Sequence, residues 1–301
     1  MTNLTLRQLR YFEALSRFGH FGHAADACAI SQPALSVQIK ELEQSLGLPL
    51  FERGPRSVRL TAFGETWLER VRDILRAVDE LGEMARAAQD TLSGSLRLGV
   101  IPTIAPYLLP SLIGALRASH PSLHLEVRET MTERLIEELG EGRIDTAIVA
   151  LPVDEPSMAE LPLFTEGLML VRPFADAGRP VPSPDALGEM RLLMLEQGHC
   201  FRDQALAFCN LQGAARRDGL DGSSLSTLVQ MVGAGIGVTL IPEMAVRVET
   251  RSAPVAVDRF PAPQPARTVG LIWRKTNPLA DQFRDLGAQI REVAAELPRP
   301  D

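Results

Sequence analysis

Between Thr61 and Gln89 the chain contains no proline, and Trp67, Val71, Ile74, Val78, Leu81, Ala85 and Ala88 alternate four and three residues apart. A repeat averaging 3.5 residues belongs to a helix whose apolar seam faces a second helix along its length, whereas a stripe that follows its own domain keeps the 3.6 period. The spacing therefore predicts a long helix that pairs with a copy of itself. An amphipathic helix lying on its own domain is the alternative. Either way the seam separates two regions of different character.

The region before the seam reads as short helices. Phe21, Ala24, Ala25 and Cys28 recur at i, i+3, i+4 and i+7, and Leu35, Ile39, Leu42 and Leu46 follow at helical steps. Ala29 to Ser31 forms the turn between them, with Ser31 suited to cap the second helix and Pro33 tolerated in its first turn. Two short helices joined by a tight turn make a helix-turn-helix. With the leucines and Ile39 facing inward, the 100° step turns Pro33, Ser36, Val37 and Lys40 outward, and Ser31 and Gln32 lie near the exposed end. That face of small and amide side chains suits a groove of double-stranded DNA. The hairpin-like RGPRSVRL then offers Arg53, Arg56 and Arg59 as a wing for backbone phosphates.

The net charge of -7 argues against a nucleic-acid partner only as an average. Residues 1–66 carry seven Lys and Arg against six Asp and Glu, a balance of +1, which leaves -8 on the remainder. No run approaches the roughly 20 apolar residues a membrane span requires, and MTNLTLRQLRYFEAL lacks the apolar stretch of a signal peptide, so a cytoplasmic protein without a membrane partner is expected.

After residue 95, strands and helices alternate. Ser95 to Ile101, Leu123 to Glu129 and Ile144 to Ala150 read as strands around helices Pro106 to Ser119 and Glu133 to Glu141. This order predicts a parallel sheet with right-handed crossovers. A second set follows: strands Leu168 to Arg172, Leu192 to Leu195 and Gly237 to Ile241, with helices from about Cys200 to Cys209 and from Ser224 to Gly233. Strand Thr268 to Arg274 and a helix from Leu279 to Leu297 close the chain. Two such units suggest a cleft-forming sensor, whose ligand would sit at the carboxyl ends of the strands.

Few motifs carry chemistry. GAGIG at 233–237 follows a helix and precedes a strand, the reverse of a dinucleotide loop, and reads as a helix cap and turn. Walker, HExxH, GxSxG and CxxC patterns are missing, no metal or cofactor is expected, and the chain is not read as an enzyme. Three cysteines are too few and too odd in number for a secreted disulfide framework. Cys28 reads as a small buried hydrophobe. Cys200 follows a strand and Gly198 at the start of a helix, beside His199, Arg202 and Asp203, where the helix dipole and the cationic neighbour favour a thiolate. Cys209, flanked by Ala207, Phe208 and Leu211, reads as buried and inert. Nine residues of helix hold the two sulfurs on opposite faces about 13.5 Å apart along the axis, so a bond between them would require the helix to unwind. On spacing alone, a redox switch and two unrelated structural thiols both stand.

FGHAADACAISQPALSVQIKELEQSLGLPLFER, followed by VRLTAFG, resembles the winged helix-turn-helix of the LysR-type transcriptional regulators. IPTIAPYLLP at 101–110, GHCFRDQALAFC at 198–209 and VGAGIGVTLIP at 232–242 resemble the hydrogen-peroxide-sensing branch of that family. The resemblance covers essentially the whole chain. It implies an α/β fold with a winged helix-turn-helix over 1–60, a coiled-coil linker helix over 61–92, and a two-subdomain, periplasmic-binding-protein-like regulatory domain over 93–301. Subdomain I would take about 93–164 and 268–301, and subdomain II about 165–267.

The resemblance further implies that Cys200 is the peroxidatic cysteine and Cys209 the resolving one, forming an intramolecular disulfide after attack on hydrogen peroxide. Thr103, Thr132, His199, Arg202 and Asp203 would form the peroxide pocket, with Arg267, in PARTVGL, near the same cleft. Simple helix capping is the plainer role of the two threonines. Activation of antioxidant genes, contact with RNA polymerase, a homotetramer and recycling by a thiol reductant such as glutaredoxin or glutathione belong to the same implication. The competing reading is a LysR-type regulator that senses a small organic effector in the cleft, its cysteines incidental. A third, an α/β enzyme with an appended DNA-binding domain, would show sustained turnover.

Overall fold

Thr5 opens the first helix with a reciprocal cap: its hydroxyl accepts the Gln8 N–H, and the Gln8 side chain accepts the Thr5 N–H. The computed structural model describes residues 4–54, 58–87, 92–209 and 221–298, and the chain divides into two units, Met1–Glu83 and Met84–Asp301.

In the first unit, α1 (Leu6–Phe18) and α2 (Phe21–Ala27) lead into a turn in which Ala29 takes a positive φ of 52°. The Ser31 hydroxyl accepts the Ala34 N–H and opens α3 (Gln32–Leu46), with Pro33 in the first turn. The inner faces converge on Phe12, Leu15, Ala24, Leu35, Ile39 and Leu42, all essentially inaccessible to solvent. Truncating one of these leucines to alanine would cost about 2–5 kcal/mol. Cys28, just past the end of α2, packs against this core, and burial raises its thiol pKa, with Glu13 adding to the shift and Arg17 opposing it. β1 (Phe51–Arg53) and β2 (Val58–Leu60) pair antiparallel as the wing, and the Glu43 carboxylate accepts the N–H groups of Leu50 and Phe51 at its base.

Then comes α4 (Ala62–Ala87), begun by a Thr61 hydroxyl that accepts the Gly64 N–H. Its seam divides in two. Trp67 meets the Phe12 ring edge to face at 4.7 Å and Val71 is buried in the helix-turn-helix core, so the first part of the seam serves its own domain. Ile74 and Leu81 on the same seam, and Met84 nearby, remain 47%, 65% and 59% exposed, and Ala88 lies outside the described residues.

The second unit begins with β3 (Gly94–Val100), α5 (Ala105–Ser119), β4 (Leu123–Glu129), α6 (Thr132–Gly140) and β5 (Thr146–Leu151). β3 runs parallel to both β4 and β5, as the alternation predicts. The long β6 (Met158–Pro173) follows, then α7 (Pro184–Glu189), β7 (Leu192–Leu195), α8 (Cys200–Phe208), β8 (Asp221–Gly222), α9 (Leu225–Gly233) and β9 (Val238–Pro242). α10 (Val246–Glu249), β10 (Val255–Arg259), β11 (Ala266–Arg274) and α11 (Ala280–Glu296) complete the chain. The GAGIG segment is a helix end and turn, with Gly235 at φ 76°.

A wholly parallel sheet is not what forms. The order is β4-β3-β5-β11-β6-β9-β7-β8; β7 is parallel to β8 and β9, but β11 is antiparallel to β5 and β6, and β6 to β9. β10 and β11 pair in succession along one edge of β6, at residues 169–173 and then 158–167. Both run antiparallel to β6 in the same direction, with residues 260–265 between them. These crossing strands join two cores. One gathers residues from Leu92 to Leu163 and Val269 to Val293; the other runs from Leu168 to Phe260 and takes in Tyr107 from α5. Among the described residues no helix is long and apolar enough to cross a membrane.

Candidate functional site

Parallel strands leave their carboxyl ends free to carry loops, and here four of those ends open on one cavity of about 520 Å³. Pro102, Thr103, Pro106 and Tyr107 follow β3; Glu129, Thr130 and Met131 end β4; Leu195, Glu196 and His199 follow β7; Ser223 to Ser226 follow β8. Tyr107 reaches across from α5: its hydroxyl donates to Glu249 Oε1 at 2.7 Å, and the Ser226 hydroxyl donates to the other carboxylate oxygen. Burial and the bond to Glu249 hold the Tyr107 phenol protonated.

Behind Thr103 stands a buried cation. The β11–β6 register sets Arg267 opposite Glu166, and Arg267 Nε donates to Glu166 Oε1 at 2.8 Å. Its other nitrogens donate to the Thr103 hydroxyl at 2.8 Å and the Thr103 carbonyl at 2.9 Å, and the guanidinium lies 5.4 Å over the Phe201 ring. Thr103 is thus fixed by side chain and backbone together. It does not cap α5, whose first residue lacks a side-chain cap.

Cys200 is the first residue of α8, where unpaired N–H groups and the positive end of the helix dipole face an incoming anion. Half-buried, it packs against the first core, although Phe201, Ala205 and Cys209 of the same segment belong to the second. Gly198 permits the approach. Its φ is 100°, and a Cβ there would fall 2.7 Å from Met131 Sδ. His199 is buried in the cleft wall, and desolvation lowers its pKa against a smaller opposing effect of Glu196, so its ring is neutral near pH 7.

Two buried polar atoms are left over. Thr132 Oγ1, at the first residue of α6, and Gln204 Oε1, one helical turn after Cys200, have no hydrogen-bond partner among the described residues. Buried acceptors and donors normally find partners, and these two do not, although neither residue lines the cavity of about 520 Å³. The sequence reading includes Thr132 but passes over Gln204. The i+4 spacing from Cys200 was the available signal, and it is a weak one for a residue type common on exposed helix faces.

Arg202 has a different task. Its guanidinium donates to the Leu195 carbonyl at 2.7 Å and pairs with Asp221 at 3.2 Å, which ties α8 to β7 and β8. Asp203 is exposed and does not line the cavity. Cys209, at the far end of α8, is buried, and burial pushes its thiol pKa up to about 11. All three cysteines are free thiols.

In the first unit Ser31, Gln32, Pro33, Val37 and Lys40 are exposed along α3, and Ser36 is half-buried. Arg59 is exposed on the wing, Arg53 is described only in its backbone, and Arg56 lies outside the described residues.

Residues 6–65 match the bacterial regulatory helix-turn-helix protein, lysR family, and residues 89–295 match the LysR substrate binding domain. The chain is 43% identical over 298 residues to a probable hydrogen peroxide-inducible genes activator of Streptomyces viridosporus, covering 98% of this chain and 96% of that one. A full-length OxyR cysteine-to-aspartate mutant from Pseudomonas aeruginosa superposes with a TM-score of 0.77 at 36% identity, over 99% of each chain. A Corynebacterium glutamicum OxyR cysteine-to-serine mutant, H2O2-bound, does so with a TM-score of 0.66 at 36% identity, over 97% of this chain and 93% of that one.

Proposed function

The chain belongs to the LysR family of bacterial transcriptional regulators, and from that premise we propose that it is a peroxide-responsive activator whose switch is the α8 segment. One observation carries this reading: a half-buried cysteine at a helix N-terminus, with an unpaired polar atom on Thr132 of α6 and another on Gln204 of the same helix, and a second, protonated cysteine at that helix's other end. The Cys200 sulfur attacks one peroxide oxygen, the O–O bond breaks, and hydroxide leaves to be protonated as water. Thr103, Thr132, His199 and Gln204 orient the peroxide, and the fixed cation Arg267 stabilises the departing charge through Thr103. The Cys209 sulfur then displaces the hydroxyl from Cys200 as a second water. Two thiols and one peroxide thus give a disulfide and two waters, and a glutaredoxin- or glutathione-type thiol restores the pair.

The disulfide requires α8 to unwind, which withdraws Cys200 from the first core and releases the Arg202 tie. The exposed Ile74, Leu81 and Met84 of α4 form the seam of a dimer that assembles further to a tetramer. Two copies of α3 then enter two half-sites of DNA through Gln32, Pro33, Ser36, Val37 and Lys40, with Ser31 at the helix end and Arg53 and Arg56 on the wing. In the oxidised state the regulator engages RNA polymerase. Residues 1–60, 61–92 and 93–301 are the DNA-binding, dimerisation and sensing parts, the last divided near residues 164 and 268.

Treating the reduced full-length chain with one equivalent of hydrogen peroxide and mapping its thiols by mass spectrometry tests the switch. A Cys200–Cys209 linkage is expected, lost in Cys200→Ser, whereas Cys209→Ser retains a sulfenic acid that dimedone traps. Oxidation without that linkage, or a full conformational response in Cys209→Ser, removes the disulfide from the mechanism.

A further inference from the structure

Met131 occupies a position where helices usually take an oxygen acceptor. It is the extended residue directly before α6, at φ -69° and ψ 156°, and α6 begins without a side-chain cap. The Met131 carbonyl accepts the Leu135 N–H at 3.0 Å, so the backbone is held by the helix while the side chain turns elsewhere. Its thioether packs on Gly198 so closely that a Cβ there would fall 2.7 Å from Sδ. Gly198 stands two residues before Cys200, and the contact therefore ties the start of α6 to the turn that opens α8.

The same side chain is open to small molecules. Met131 is half-buried and lines the cleft, whereas Met158 and Met169 are only 4% exposed in the two cores. A small oxidant that enters the cleft meets Met131 without any opening of the fold. The thioether lone pair attacks one oxygen of hydrogen peroxide, the O–O bond breaks, that oxygen stays on sulfur, and the other leaves with both protons as water. Sulfur loses two electrons, which the peroxide takes up. Lacking the charge of a thiolate, a thioether reacts more slowly, so Met131 responds to peroxide in excess over what Cys200 consumes.

Oxidation turns this apolar side chain into a polar one that carries an acceptor oxygen. The first N–H groups of α6, which no side chain caps, offer that oxygen donors. We propose that Met131 is a sulfoxidation site, and that the sulfoxide leaves Gly198 for the start of α6 and so loosens the turn that carries Cys200. A further consequence rests on the disulfide reading above. With all three cysteines free, the Met131–Gly198 contact belongs to the thiol form, and unwinding of α8 gives it up. Its removal destabilises the thiol form alone and shifts the Cys200–Cys209 equilibrium toward the disulfide, so that excess peroxide prolongs the oxidised state.

Full-length Cys200→Ser/Cys209→Ser protein is treated with excess hydrogen peroxide, its methionines are followed by peptide mass spectrometry, and amide exchange is read across residues 196–203. Met131 should form sulfoxide at least about tenfold faster than the buried Met158 and Met169. Exchange at 198–201 should then accelerate at least about fivefold, the lower end of typical coupling between sites. In the same background Met131→Leu keeps the apolar bulk without the reaction and should show no acceleration, while Met131→Gln, polar before any treatment, should exchange faster untreated. If the glutamine variant does not fold, reversal of the acceleration by methionine sulfoxide reductase serves in its place. In the parent, taken to its disulfide before treatment to spare the cysteines, the ratio of squared glutathione to glutathione disulfide that reduces half of the chains should rise at least about fivefold. A Met131 that stays unoxidised while the exposed Met84 and Met190 react overturns the site. Unchanged exchange, or equal acceleration in Met131→Leu, overturns the loosening, and an unmoved glutathione midpoint overturns its link to the disulfide. If the parent forms no disulfide at all, the peroxide reading fails instead, and the mass spectrometry and exchange still decide the site and the loosening.

Discussion

Cys200 and Cys209 share one helical segment yet differ in everything that controls thiol chemistry. Cys200 is half-buried at the positive end of α8, while Cys209 is closed in the second core with its thiol pKa raised to about 11, so near neutral pH it is the protonated form. Iodoacetamide at pH 8 should therefore modify Cys200 first, with Cys209 reacting at least about tenfold more slowly, as peptide mass spectrometry of timed samples reads directly. Equal rates would mean that α8 opens freely in the reduced state. His199 supplies a second measurable consequence. Its folded pKa is depressed by desolvation, so the unfolded chain takes up that proton more readily. Above the unfolded pKa of about 6.5 the effect vanishes, and as pH falls through that value the folded state loses stability. The urea midpoint of the parent should thus decline more steeply from pH 7.5 to 5.5 than that of His199→Gln, and parallel declines would show that His199 is not the group responsible. At this scale the sequence revealed the reactive residue types but not their partners. Arg202 and Arg267 are both arginines beside the motif or the cleft, and only strand register shows that one secures α8 and the other Thr103.

Among the elements, α8 depends on what precedes it. Gly198 adopts a φ of 100°, and a Cβ added there would meet Met131 Sδ, so the residue combines a conformational and a steric requirement. Gly198→Ala should lower stability by about 1–3 kcal/mol. Adding Met131→Ala should restore the steric share alone; complete recovery of the thermal midpoint in the double variant would refute the backbone contribution. Such a requirement is partly visible in sequence as a glycine before a helix, but its sign of φ is not. The helices were legible because their apolar periodicity matches their burial: Leu35, Ile39 and Leu42 on α3 are buried, and Val37 and Lys40 are exposed. Strands were legible where they are short, apolar runs, as with β7 and the wholly buried β9. β6 was read only in its second half, because Pro162 and the separate exposed residues Glu160 and Thr165 interrupt the apolar pattern of its first half, which pairs with β11. β10 and α7 were missed for a related reason: both are short and only partly buried. The seam of α4 shows the converse, since one heptad pattern serves intradomain packing at Val71 and an exposed face at Leu81, a division that spacing does not encode.

In the regulatory unit as a whole, the two cores communicate through few buried connections, and Tyr107 is the most exposed to test. It belongs by sequence to α5, whose other buried leucines lie in the first core, yet its ring packs into the second and its hydroxyl donates to Glu249 of α10. With Ser226 on the other oxygen, Glu249 joins α5, α9 and α10 in one partly buried network beside the cleft. Tyr107→Phe keeps the ring and removes one hydrogen bond to a carboxylate, a loss of about 1.5–3 kcal/mol. If the bond braces the two cores, the loss is local: amide exchange should accelerate in α10 and at the start of α9, while α11, packed in the first core, keeps the protection of the parent. A uniform acceleration across both cores would mean that Tyr107 contributes only to global stability, and unchanged exchange in α10 would show that the Ser226 hydroxyl holds Glu249 unaided.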